Sequence, residues 1–589
     1  MIVNTTRFCL ILLLVTAAVF AENPEGDKKK GTLQKTLSND QWDFISVNNI
    51  LMWMSNNGKM AHNPLSDQSG LEWPKQSAKY VIFTDGIIWG GKIQGQTRVG
   101  GATYNAGMQA GHILPNGDAA DPSDPRHRIF KIQRTDASQF SALPAVEQER
   151  LRADFVEWPT DLGAPWVDRN GNGVYEPDFD DWVAVGDNTA ADIPFLPGDE
   201  NLWFVSNDKD SRRTTNLYGS PPIGIELQTL VWAYKRTGPL SNMVFTKYKI
   251  INKGTDDLLD AYFAKWSDPD LGDAWDDFVG IDTILSLGYV YNGLARDESY
   301  GIPPAAGYDF FQGPIVSSPG DVAHYNFGLR QGYRNLPVSS FAFYINSNSV
   351  YRDPTLKDPE GALHMYNYME GRLWNGRNYV DPTSGQTVKI CLAGDPLTRQ
   401  GWIDGIVSSP GDRRFLMTSG PFTLARGDNQ EVVVATIVGK GSDRLSSVKV
   451  LKYYDKYAQI AFDNNFDLPK APPPPQVKVS LHPNRAILTW GEPESAERVE
   501  NHFDRGYKFQ GYNVYQFARK SDPLDEAVRL ATFDAVDGVS VIFDEILDEK
   551  SGIVLDVPVQ FGSDAGLVRS FEITNDIIHD RPQLNNQPY

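Results

Sequence analysis

Between residues 79 and 438 the apolar residues come in short runs rich in β-branched and aromatic side chains, and the residues between the runs are those that turn a chain. The runs at 201–206, 223–234, 243–252, 258–266, 339–346, 414–419 and 431–438 read as strands. Within one of them Ile225, Leu227, Thr229 and Val231 suit a single face, while Glu226 and Gln228 point the other way. Residues 79–84 and 87–93 flank Asp85-Gly86, a two-residue hairpin-turn signal, which predicts a hairpin there. Helical spacing is scarce. A charged amphipathic stretch runs from Pro144 to Glu157, and a longer one follows Ser442-Asp443 with Leu445, Val448, Leu451, Ala458, Ala461 and Phe462 on one stripe. The second is expected over about 443–463, docked on the preceding sheet. The pattern predicts a mainly β, multidomain β-sandwich architecture with few helices.

At 589 residues the chain exceeds the roughly 250–300 at which one hydrophobic core stops growing. Residues 41–466 are expected to form a β-rich main module of one or two sandwiches. The proline-rich stretch 467–475 cannot continue a helix and reads as a stiff linker. With 55 Lys and Arg against 75 Asp and Glu, the net charge of −20 repels a phosphate backbone and excludes nucleic acid as a partner. Arg7, the apolar run 8–15 and Val19-Phe20-Ala21 read as a signal peptide over 1–21, followed by a polar leader over 22–40. That run is too short to span a bilayer, and no later stretch is long enough, so no membrane span is expected in the mature chain. The expected location is secreted, extracellular or at the outer cell surface, with the periplasm as the alternative. Cys9 leaves with the signal, which leaves Cys391 without a disulfide partner. A large exported protein without disulfides must be held by its cores and by ions.

Residues 476–490 and 509–515, ending in Leu488-Thr489-Trp490 and Tyr512-Asn513-Val514-Tyr515, resemble the opening strands of a fibronectin type III domain. The resemblance implies an incomplete fibronectin-like sandwich over 476–589, with Trp490 in its core and Tyr512 and Val514 on one face. The family's last two strands are missing from the pattern. That predicts either a fragment or a sandwich completed by another chain. Residues 216–226, Lys249 to Asn252, Trp266 to Asp273 and Ser419 to Phe422 resemble large exported β-rich bacterial surface proteins of the type IX secretion kind. This second resemblance implies surface display and supplies no catalytic residue.

The strongest local chemical signal is Asp168, Asn170, Asn172, Val174, Glu176, Asp178 and Asp180. Oxygen side chains at positions 1, 3 and 5, glycine at 6 and a backbone carbonyl at 7 follow the logic of a calcium loop. Phe179 stands at position 12, so Asp178 or Asp180 is expected to close the site. A second acidic cluster comprises Asp268, Asp270, Asp273, Asp276 and Asp277, with Asp282 shortly after. Such a density of like charge must be solvated, protonated or bridged by a cation. The eight histidines are scattered without zinc spacing, and neither a GxSxG elbow nor a P-loop is present. Arg426-Gly427-Asp428 suits a hairpin turn, and the heptapeptide Ile-Val-Ser-Ser-Pro-Gly-Asp, found at 315–321 and again at 406–412, suits two similar strand-exit turns.

These signals predict a calcium-stabilised, non-catalytic structural or adhesive scaffold that meets cell-surface or matrix components, glycans among them. The alternative is an extracellular polysaccharide-binding or polysaccharide-degrading protein, glycoside hydrolysis being its reaction. A row of coplanar exposed Trp or Tyr residues would favour the alternative.

Overall fold

A computed structural model describes residues 40–582, apart from 470–471, 505, 520–523, 525–526 and 549–552. The expected signal peptide and nearly all of the leader lie outside these residues.

In chain order the main strands begin with β1 (Thr84–Ile93), β2 (Gln96–Gly101), β3 (Gln109–Ala110) and β4 (Phe130–Gln133). They continue with β5 (Glu200–Asn207), β6 (Ile225–Ala233), β7 (Met243–Asn252) and β8 (Leu258–Asp268). Then follow β9 (Asp277–Asp282), β10 (Leu287–Asn292), β11 (Ala305–Gln312), β12 (Val338–Ile345), β13 (Arg413–Leu424) and β14 (Asn429–Gly439). A nine-stranded sheet runs β4-β5-β6-β7-β14-β11-β10-β9, with β3 also on β5, and a five-stranded sheet runs β12-β13-β8-β1-β2. Every pairing in the two sheets is antiparallel. The strands at 201–206, 223–234, 243–252, 258–266, 339–346, 414–419 and 431–438 therefore stand where the apolar runs placed them.

The two sheets face each other, and the alternation along β14 shows how the layers are filled. Val432, Val434 and Val438 join the core shared with the five-stranded sheet. Val433, Ala435 and Ile437 join a second core on the opposite face. That opposite face is covered by helices α1 (Ala145–Val156), α2 (Phe179–Val185) and, after β14, the long helix at Arg444–Asp463, which contribute Leu151, Phe155, Trp182, Leu451, Ala458 and Phe462. Between them in sequence, α3 (Pro359–Met369) lies on the outer face of the five-stranded sheet, where Tyr366 meets Tyr262 edge-on. The helix Arg444–Asp463, now α4, starts at a capping box in which Asp443 accepts from Leu445 and Ser446 N–H groups, as the Ser-Asp signal predicts. Because both faces of the nine-stranded sheet are covered, Glu226 and Gln228 do point away from Ile225 and Leu227 yet are buried as well.

The hairpin expected at Asp85-Gly86 is not formed. Both residues lie inside β1, which pairs with β8 on one edge and β2 on the other. A Cβ on Gly86 would stand 2.3 Å from the Ala102 carbonyl oxygen, so glycine is there for close backbone approach and not for a turn. The reversal comes at Gln94-Gly95, both at positive φ, as a two-residue hairpin turn requires. Arg426-Gly427-Asp428 is the turn between β13 and β14. Neither repeated heptapeptide is a strand-exit turn: the first opens the strand Ile315–Tyr325 and carries its bulge between Ser317 and Val322, and the second leads into β13.

Beyond residue 475 the strands form small separate sheets, the longest pairing being Val541–Asp548 with Ile553–Phe561. Lys478–His482 and Arg485–Thr489 form a three-stranded sheet with Ser570–Ile573, and Gly511–Gln516 pairs with Val528–Asp534. Trp490, Tyr512 and Val514 are buried together, as the sequence placed them, joined by Val499 from a helix at Pro493–Glu500 that strand periodicity did not reveal.

Candidate functional site

The Asp168 loop sits between the short strand Trp166–Val167 and α2. Asp168 holds the turn with both carboxylate oxygens: Oδ1 accepts from Gly171 N–H at 2.6 Å and Oδ2 from Gly173 N–H at 2.8 Å. Asn172 Oδ1 accepts from Val174 N–H at 2.7 Å. The amides of Asn170 and Asn172 both donate to Glu176 Oε2, at 3.1 and 2.8 Å. Asp192 braces the loop from beneath, accepting from Arg169 N–H and Glu176 N–H.

The carboxylate that these bonds bring onto the turn is that of Glu176, while Asp178 and Asp180 are engaged elsewhere. Asp178 caps α2 by accepting from Asp181 N–H, and Asp180 pairs with Arg152 at 2.7 Å. Phe179, the first residue of α2, is buried against Phe155 and Trp182. Asp168, Asn170, Asn172 and Glu176 all carry hard oxygen atoms of the kind that calcium takes, and here the two asparagines turn their amide nitrogens to Glu176.

The second acidic cluster divides. Asp273 caps a short 3-10 helix by accepting from Trp275 N–H, and Asp276 accepts from Asn292 Nδ2 at 3.0 Å. Asp268, at the end of β8, and Asp270, in the turn after it, meet Asp412 from the segment before β13, with one carboxylate oxygen of each within 4.8 Å of the others. Arg414 supplies a positive charge to them, with Nε 3.0 Å from Asp268 and Nη1 2.6 Å from Asp412, and its Nε donates to the Tyr104 hydroxyl. Burial pushes the Asp268 and Asp277 carboxyls well above their usual range and Asp270 up to about 7, with neighbouring carboxylates adding to the rise.

Asp412 was not singled out from the sequence. Its only local signal is that it ends the second copy of the repeated heptapeptide.

Among the described residues Trp275 is the exposed tryptophan and Tyr507 the exposed tyrosine, far apart in sequence and in no row. Among the same residues no helix is long and apolar enough to cross a membrane. No protein-family model matches the chain, and no curated protein matches it. A solved polysaccharide lyase is similar over 45% of this chain and 26% of its own, at 9% identity and a TM-score of 0.17, a likeness too slight to bear on fold or activity.

Proposed function

We propose that this chain is a secreted or cell-surface structural or adhesive scaffold, non-catalytic and stabilised by calcium, whose partners are cell-surface or matrix components. The observation that carries the reading is the Asp168–Glu176 loop. It brings the amides of Asn170 and Asn172 to the Glu176 carboxylate and holds the turn with the Asp168 carboxylate, and its glycines, Gly171 and Gly173, both take positive φ. A cation there would replace the two amide contacts to Glu176 with its own ligation and tie α2 to the strand before the loop. In the mature chain, where Cys391 is left unpaired and buried, an ion is the cross-link still open to it.

The test is the thermal midpoint of the mature protein in EDTA and in millimolar calcium. An ion that binds the folded state alone stabilises it by about 2.7 kcal/mol at a hundred times its Kd, so a rise of several degrees is expected. In an Asp168→Ala/Asn172→Ala variant most of that rise should disappear. A calcium-independent midpoint would overturn the reading and turn attention to a glycan-binding screen.

A further inference from the structure

The Asp168 loop is exposed and local, whereas the meeting of Asp268, Asp270 and Asp412 is buried and joins distant parts of the chain. We propose that these three aspartates, backed by Asp277, form a second divalent-cation site that fastens the 406–412 segment to the end of β8.

Three features carry it. The first is spacing. Two oxygens that share an ion at 2.3–2.6 Å are at most about 5 Å apart, and the three carboxylates lie within that limit at 4.8 Å.

The second is a carboxylate without a partner. Asp277 is 1% exposed, and its Oδ1 accepts no hydrogen bond. Its Oδ2 accepts from Leu271 N–H at 3.1 Å, which sets the carboxylate against the turn that carries Asp270. Its backbone carbonyl accepts from Gly411 N–H, next to Asp412. Asp277 therefore lies against both segments that supply the ligands. A buried polar atom left unsatisfied is costly, and water or an ion is its usual remedy.

The third is charge. Asp353 also faces Arg414 and Asp412, so five carboxylates share the neighbourhood with the Arg414 guanidinium. Arg414 and Asn346 instead act as positioning residues. Arg414 holds Asp268 and Asp412, and Asn346 Nδ2 donates to Asp412 Oδ2 at 2.8 Å. The donor set is carboxylate oxygen alone, with neither sulfur nor imidazole, which selects a hard cation and suits calcium.

This inference is independent of the scaffold reading, since the ligation would be the same whatever the surface binds. Its test uses the full mature chain carrying Asp168→Ala/Asn172→Ala, so that the exposed loop does not contribute. Calcium is titrated calorimetrically into EDTA-stripped protein. One site per chain is expected to remain. Asp412→Asn, added to that background, should weaken it at least tenfold. Asp273→Asn removes the same charge from the same acidic stretch but only a helix cap, and should leave the affinity within about twofold.

Asp412→Asn removes a like charge but also a partner of Arg414, so folding of the stripped variant is checked by circular dichroism before titration. If it does not fold, Asp270→Asn at the half-buried position reads out the same loss. Calcium silence in the background protein, or equal effects of Asp412→Asn and Asp273→Asn, would overturn the site. Failure of the exposed loop would show separately, as unchanged binding between wild type and the background protein.

Discussion

Replacing Lys265 with methionine is expected to destabilise the main module by about 3–5 kcal/mol, the range for removing one partner of a buried ion pair. Lys265 on β8 and Asp85 on β1 lie between the two sheets with side chains 2% and 1% exposed, and Nζ is 2.6 Å from Asp85 Oδ1. The pair is enclosed by hydroxyls from the opposite sheet. Tyr308 donates to Asp85 Oδ2 at 2.7 Å, Lys265 Nζ lies 3.3 Å from the Tyr248 hydroxyl, and Ser267 shares a hydrogen bond with Tyr308. Methionine matches the lysine stem in length and leaves Asp85 as an unneutralised charge in the core. The loss should therefore exceed that of an ordinary core truncation of similar volume. The double replacement Lys265→Met/Asp85→Leu removes both charges and should recover most of the loss, since a buried pair exchanged for apolar groups is often neutral or better. Urea midpoints at constant slope measure both effects. A single-variant cost under about 1 kcal/mol would mean that water already screens the pair.

The same pair explains where the sequence misled. Asp85-Gly86 carries local turn chemistry, but the aspartate is neutralised by a lysine that arrives on a strand about 180 residues later, and the glycine is demanded by the Ala102 carbonyl. Local propensity loses to tertiary contact at such positions. Strands β5–β8 and β12–β14 were legible because their apolar alternation is contiguous, and α4 because its stripe and its Ser-Asp cap lie within one short stretch, whereas β2–β4 and β9–β11 were not read. The turn at Asp168 is local in the same way, since its hydrogen bonds run between neighbours in residues 168–176. Beyond it, Asp178 caps α2 and Asp180 pairs with Arg152 on another helix, a contact that no local pattern announces. The buried aspartate group was half legible. Asp268 and Asp270 stand together in the sequence, but Asp412 reaches them only because β8 and β13 are neighbours in the five-stranded sheet.

A second pair of acids should make the stability of the main module fall as pH rises. Asp309 on β11 faces Asp455 on α4, and the side chains of both are buried where the helix covers the sheet. Neither oxygen of Asp309 receives a hydrogen bond from the described residues, so nothing but a retained proton relieves the two facing carboxyls of their mutual repulsion. Burial pushes Asp455 up to about 7 and Asp309 well above the usual carboxyl range, the second raised further by its partner and by Asp463. Asp282 adds negative charge, and Lys452 supplies the nearby positive charge. An unfolded aspartate ionises near pH 4, so between there and about 7 the folded state retains protons that the unfolded state releases. The pair's contribution is therefore whole below pH 4 and is lost as pH rises through about 7. Asp309→Asn supplies an amide donor to Asp455 without a proton to lose. It is expected to gain about 2–4 kcal/mol over wild type at pH 8, with the difference shrinking towards pH 4. Denaturant unfolding of the two proteins across pH 4–8 measures it. The other buried aspartates cancel in that difference, so a gain independent of pH would show that the two carboxyls hold no proton between them.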